Sequence, residues 1–126
     1  MSAKILVVED ELELSEAYDI ILKSAGYDVV IAHDGHDALK VLKTFEPNII
    51  LLDLRMPRVS GIEFLQQYNA KKAHPDVTII VFSNLDAQDE INQAYELGAD
   101  RYILKAWASP KELLKLVEDT LKKSTK

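Results

Sequence analysis

Short apolar runs alternate with longer amphipathic segments along this chain. The runs Ile5-Leu6-Val7-Val8, Val29-Val30-Ile31-Ala32, Ile49-Ile50-Leu51-Leu52, Thr78-Ile79-Ile80-Val81-Phe82 and Tyr102-Ile103-Leu104 are largely apolar at successive positions and rich in β-branched residues. Strands of that composition are expected to be buried on both faces, as in a parallel sheet covered by helices; a one-sided antiparallel sheet would alternate. The intervening segments carry helical periodicity: Leu14, Tyr18, Ile21 and Ala25 in the first, Leu113, Val117 and Leu121 in the last. Ser60-Gly61-Ile62-Glu63 and Ser109-Pro110-Lys111-Glu112 place a hydroxyl at the cap and a glutamate three residues later, which satisfies orphan amides at a helix start. Gly26 and Gly98 fall where the first and fourth helices should end, at the position that favours a left-handed backbone. Right-handed crossovers then give an α/β three-layer sandwich, a five-stranded parallel sheet with five helices distributed over its two faces.

Composition narrows the class. The 126 residues, 48% hydrophobic and 29% charged, suit one domain spanning 1–126 and leave no room for two, with an ordered core over about 4–122 and a polar tail at 123–126. Fifteen basic against twenty-one acidic side chains give a net charge of -6. Nucleic-acid binding would need a clustered basic face, and Lys71-Lys72 and Lys122-Lys123 are short and diluted by acids. The absence of cysteine excludes thiolate catalysis, sulfur-ligated zinc and a disulfide framework, and makes the cytoplasm the expected location. The first apolar run stops at two acids, too short for a signal peptide or membrane span.

In an open parallel sheet ligands bind beyond the carboxyl ends of the strands, so the first polar residues after each run carry the information. Here these are Glu9-Asp10, Asp53, Ser83 and Lys105. Singly each has an ordinary reading: acids at a helix start, a turn aspartate, a strand-ending serine, a solvated lysine. Together they would bring three carboxylates, a hydroxyl and an amine to one end of the sheet. Mutually repelling carboxylates call for a cation, and Mg2+ takes one or two of them while keeping positions for water and phosphate oxygens. Lys105 would neutralise a phosphoryl oxygen, Ser83 would donate a hydrogen bond to another, and one carboxylate would remain as nucleophile. The constellation reads as phosphoryl transfer to an aspartate.

With these pieces in place the chain resembles the receiver domain of two-component response regulators, in particular the stand-alone chemotaxis type. The match runs through Ile5-Leu6-Val7-Val8-Glu9-Asp10-Glu11, Asp34-Gly35-His36-Asp37-Ala38-Leu39, Asp53-Leu54-Arg55-Met56-Pro57, Gly61, and Gly98-Ala99-Asp100 ahead of Tyr102 and Lys105. The resemblance implies a flavodoxin-like sheet in order 2-1-3-4-5. It implies Asp53 as phosphoacceptor, with Asp10, Glu9, Asp53 and the backbone carbonyl of Arg55 around Mg2+. Lys105 would pair with the phosphoryl group, and Ser83 and Tyr102 would form the switch. The expected activity is a switch that catalyses only its own phosphorylation and autodephosphorylation. Its expected partners are a sensor histidine kinase or phosphotransfer protein and a downstream protein or fused output domain, with a phosphorylation-dependent homodimer as a further outcome. Neither nucleic acid nor membrane is an expected partner of this domain.

Departures from the family pattern sharpen these expectations. Lys105 is followed by Ala106 and Trp107 where most receivers have a cis proline; a cis bond before alanine costs about 2.5–4 kcal/mol, so a trans bond and a rearranged turn are expected. The resemblance also implies that the positions of Arg55 and Leu85, two residues beyond Asp53 and Ser83, flank the path of water to the acyl phosphate, and the Arg55 side chain and bulky Leu85 are expected to slow hydrolysis. A pseudo-receiver that only binds proteins is disfavoured by the complete set of five matching residues. A phosphohydrolase of the aspartyl-phosphate type is disfavoured by Arg55, where that group carries a second acid. A flavin or nucleotide binder is disfavoured because Glu9-Asp10-Glu11-Leu12 would repel phosphates.

Overall fold

The computed structural model describes residues 3–56, 59–83 and 88–124. Strands and helices alternate: β1 (Lys4–Val8), α1 (Leu12–Ser24), β2 (Asp28–Ala32), α2 (Gly35–Val41), β3 (Ile49–Asp53), α3 (Gly61–Tyr68), β4 (Thr78–Ser83), α4 (Gln88–Glu96), β5 (Arg101–Leu104) and α5 (Pro110–Ser124). All pairings are parallel, in order β2-β1-β3-β4-β5. Two short elements join the five helices: a single turn at Ala70–Ala73, separated from α3 by left-handed Asn69 (φ 55°), and a 3-10 turn at Lys105–Trp107. α5 continues to Ser124, two residues past the expected end of the ordered core at about 122.

The period-two alternation of the strands supplies two cores. Ile5, Val7, Leu51, Ile80 and Phe82 pack with Tyr18 and Leu22 of α1 and Leu113 and Val117 of α5. Leu6, Val8, Ile50, Leu52 and Val81 face the other way, onto Ala38, Phe64, Leu65 and Ala94 of α2, α3 and α4. Two-sided burial holds for β1, β3 and β4 and fails at the sheet edges: Val30 and Ile31 of β2 and Tyr102 and Ile103 of β5 are half-buried, because each edge strand has a neighbour on one side only. The buried line of α1 also differs from the expected stripe. Ser15, Tyr18 and Leu22 are buried, Leu14 and Ile21 flank them half-buried, and Ala25 is exposed as the C-cap.

The helix signals act as their chemistry requires. Ser60 accepts from the Glu63 amide and the Glu63 carboxylate reaches back to the Ser60 amide, a complete capping box. Ser109 Oγ accepts from the Glu112 amide at 3.3 Å. Gly26 and Gly98 adopt φ of 95° and 114°. Register then lays the strand ends side by side, with Val8 opposite Leu52, Asp53 opposite Phe82 and Ser83 opposite Leu104.

Gly61, at the first position of α3, seats that helix on the end of β3. A Cβ there would come within 2.6 Å of Leu54 Cα and 2.8 Å of the Asp53 carbonyl oxygen, contacts that no rotamer change relieves. Helix propensity alone favours alanine by about 1 kcal/mol. The close approach reverses the sign: Gly61→Ala is expected to destabilise the fold by about 1–3 kcal/mol in urea denaturation, and a neutral or stabilised variant would show that the helix sits free of the strand.

Candidate functional site

Glu9, Asp10, Asp53, Ser83 and Lys105 stand at or just beyond the carboxyl ends of β1, β3, β4 and β5. Glu9 follows β1 and is fully buried; its amide donates to the Ala32 carbonyl at 3.0 Å, and its Oε2 accepts from the Glu11 amide at 3.0 Å, which folds the β1–α1 turn back on itself. Asp53 ends β3, almost fully buried, and its Oδ1 accepts from the Arg55 amide at 3.1 Å. Asp10 is exposed beside them. One carboxylate oxygen from each of Glu9, Asp10 and Asp53 lies within 4.8 Å of the other two.

Lys105 crosses from the far side of the sheet into this cluster. Its Nζ lies 2.8 Å from Glu9 Oε1, 3.1 Å from Asp53 Oδ2 and 3.0 Å from Glu11 Oε1. The Lys105 side chain is only 8% exposed, whereas Glu11 is largely open to solvent. No cis peptide occurs among the described residues, so the Lys105–Ala106 bond is trans, as expected. The backbone after it forms the 3-10 turn, closed by a 3.1 Å bond from the Ala108 amide to the Lys105 carbonyl.

The electrostatics follow from burial. Desolvation pushes the Glu9 carboxyl up to about 7; Lys105 and the Glu11 amide hold it back, and the charge of Asp53 adds to the rise. Burial likewise raises the Asp53 carboxyl, opposed by Lys105 and the Arg55 amide and aided by Asp10. Burial alone would lower the Lys105 ammonium, but hydrogen bonds to Glu9, Glu11 and Asp53 outweigh it, so its pKa rises and it stays charged. Three acids, two of them buried and Glu11 exposed, thus share one ammonium, and the surplus is negative. Hard oxygen donors clustered within 4.8 Å, with negative charge to spare, fit a divalent cation of the Mg2+ kind.

The remaining candidates fall nearby. Ser83 is buried at the end of β4, one residue beyond Phe82, which pairs with Asp53. Tyr102 is half-buried on β5, opposite Val81. The Arg55 side chain is exposed at the rim. Leu85 lies outside the described residues. Two functional contacts were missed from the sequence. Glu11 is a direct partner of Lys105, and Tyr18, expected only as part of an apolar stripe, donates its hydroxyl to the Ala108 carbonyl at 2.8 Å.

A doubly wound parallel sheet with an acid cluster and a lysine at its carboxyl edge is the arrangement expected of a receiver domain, and the comparisons agree on the family. The sequence profile described as the response regulator receiver domain matches residues 5–118. The chain belongs to this family. It is 40% identical over 124 residues to the probable transcriptional regulator ycf27 of Porphyridium aerugineum, covering 98% of this chain and 50% of that protein, so the chain spans about half the length of this curated relative. A CheY-like response regulator receiver domain protein from Methanospirillum hungatei JF-1 superposes with a TM-score of 0.89 at 25% identity, covering 98% of this chain and 97% of that one. The chemotaxis response regulator CheY4 of Vibrio cholerae gives 0.84 at 25% identity, covering 94% and 98%. Membership in the family places the chain in two-component, phosphorylation-dependent signalling. Among the described residues no helix is long and apolar enough to cross a membrane.

The raised Glu9 carboxyl makes a pH prediction. A group whose folded pKa lies above its unfolded value stabilises fully below the unfolded value, here about 4.5, and loses that contribution as pH rises through about 7. In chelator, the stability of wild type minus that of Glu9→Gln should therefore fall by about 2–3 kcal/mol between pH 4.5 and 8. A difference flat across that range would contradict the burial argument.

Proposed function

We propose that this domain is a switch that accepts a phosphoryl group on Asp53 from a sensor histidine kinase, a phosphotransfer protein or a small acyl phosphate. The observation that carries the reading is the fixed Asp53 carboxylate: one oxygen is held by the Arg55 amide and the other by Lys105, beside the acids Glu9 and Asp10.

Transfer begins with an Asp53 oxygen attacking phosphorus. The P–N bond of a phosphohistidine, or the P–O bond of acetyl phosphate, breaks and its electron pair leaves with the imidazole or acetate. Lys105 exchanges its Asp53 contact for a phosphoryl oxygen, and Ser83 donates to another. Glu9, Asp10, Asp53 and the Arg55 carbonyl would hold Mg2+, which when bound screens the charge gathering on the phosphoryl oxygens. Water later attacks phosphorus, the bond from phosphorus to the Asp53 oxygen breaks, and the Asp53 carboxylate is restored as inorganic phosphate leaves; Arg55 and Leu85 are the residues proposed to slow that step. No other turnover is proposed, so the domain catalyses only its own modification.

Phosphorylation replaces about one negative charge with roughly two and adds acceptor oxygens. Movement of Ser83 toward them opens space for Tyr102, and the face of α4, β5 and α5 shifts in population by a coupling of about 1–3 kcal/mol. That face would then change its affinity for a downstream protein, for a fused output domain or for a second copy. The setting consistent with this chemistry is the cytoplasm.

Incubation with acetyl phosphate and Mg2+, followed by intact mass, tests the reading. One phosphoryl adduct is expected, absent in Asp53→Asn and on chelation, and formed at least about 10-fold more slowly in Lys105→Met. No adduct from acetyl phosphate or from a phosphohistidine donor would instead make the domain a protein-binding pseudo-receiver.

A further inference from the structure

Of the two hydroxyls in the buried line of α1, that of Ser15 turns back to the Leu12 carbonyl at 3.0 Å and that of Tyr18 leaves the helix. Tyr18 is fully buried; its ring stands edge-on to Phe82 with centroids 5.7 Å apart and an interplanar angle of 89°, and its Oη donates to the Ala108 carbonyl at 2.8 Å. Ala108, 2% exposed, closes the 3-10 turn that begins at Lys105. Beyond the Lys105 side chain, which is buried among the acids, the turn is open: Ala106 is exposed and Trp107 is 73% exposed, so apolar packing does little to hold its backbone. Carbonyls at the end of a short helical turn lack partners within it, and the phenol supplies one.

We propose that Tyr18 is a positioning residue for Lys105, fixing the base of the turn from which the ammonium reaches the phosphoryl group. The inference rests on the reading of Lys105 as the phosphoryl partner. Two restraints tie the turn to the β1–α1 unit. At its front, Lys105 Nζ is held by Glu9 and Glu11; at its back, the Ala108 carbonyl is held by Tyr18. When the ammonium leaves its carboxylates for a phosphoryl oxygen, the front restraint changes partners and the back one persists. The lysine then swings from a fixed origin. Small misplacements of a group that neutralises charge in the transition state are costly in rate. Glu9, Asp10 and Asp53 stand at the ends of β1 and β3, outside the anchored turn, so loss of the anchor should alter their affinity for a cation far less than it alters the reach of Lys105.

Tyr18→Phe keeps the ring and its contact with Phe82 and removes only the hydroxyl. With Mg2+ saturating, its rate of adduct formation from acetyl phosphate should fall about 5- to 10-fold, the worth of one buried hydrogen bond, while its Kd for Mg2+ stays within about 2-fold of wild type. In isotope-labelled protein the Lys105 side-chain NMR signal should shift or broaden. Val117→Ala, which softens the same core from α5 without touching the turn, should keep the wild-type rate and Lys105 signal. A Tyr18→Phe protein with wild-type rate and signal would overturn the proposal, as would equal slowing in Val117→Ala. Should wild type itself form no adduct, the reading of Asp53 fails, and the Lys105 signal still decides: displaced in Tyr18→Phe, the anchor stands; unmoved, it falls.

Discussion

The Lys105 ammonium, seated among the carboxylates of Glu9, Glu11 and Asp53, is the interaction on which the rest of this site depends. Two of those acids are almost completely buried, where ionised carboxylates are disfavoured by several kcal/mol unless paired. The lysine makes their burial tolerable without cancelling their charge. What remains is a pocket poised for a cation and for a phosphoryl group. Under the proposed function the same amine would serve both states of the switch, paired with carboxylates at rest and with phosphoryl oxygens once Asp53 is modified. Because Lys105 directly follows β5, that exchange would be felt first by this edge strand of the sheet.

The fold was legible because it depends on patterns that neighbouring residues settle among themselves. Continuous apolar runs made β1, β3 and β4 central, capping hydroxyls started α3 and α5, and Gly26 and Gly98 ended α1 and α4 through left-handed turns. Legibility failed where tertiary position overrides composition. Val30, Ile31 and Ile103 look as central as Ile50, yet an edge strand leaves them half-buried. In α1 the helix rotates to bury Ser15 and Leu22 and leaves Ala25 in solvent, an outcome set by what α5 and the sheet offer and not by spacing alone.

Much of the site was legible for a different reason. Parallel strands bring their carboxyl ends to one edge, so the polar residues ending the apolar runs identified Glu9, Asp10, Asp53, Ser83 and Lys105 before any geometry. Glu11 was hidden because the third acid of a helix start reads as a solvated one, and only the reach of Lys105 from 94 positions away gives it a partner. Tyr18 was hidden inside a stripe of core residues; its ring behaves as that pattern says, and its hydroxyl finds a carbonyl 90 positions along the chain. Single polar atoms on otherwise apolar side chains carry no periodic signal. In this chain such an atom holds the turn that lacks the customary proline after its lysine.

The central claim is that Lys105 holds the acid pocket together at rest, and the most direct measurement is the stability of Lys105→Met in chelator across pH. The account predicts a loss of about 2–4 kcal/mol near pH 8, where the carboxylates are left without their ammonium, shrinking toward pH 4.5 as they protonate. A Lys105→Met protein as stable as wild type at pH 8, or a loss that does not change with pH, would contradict it.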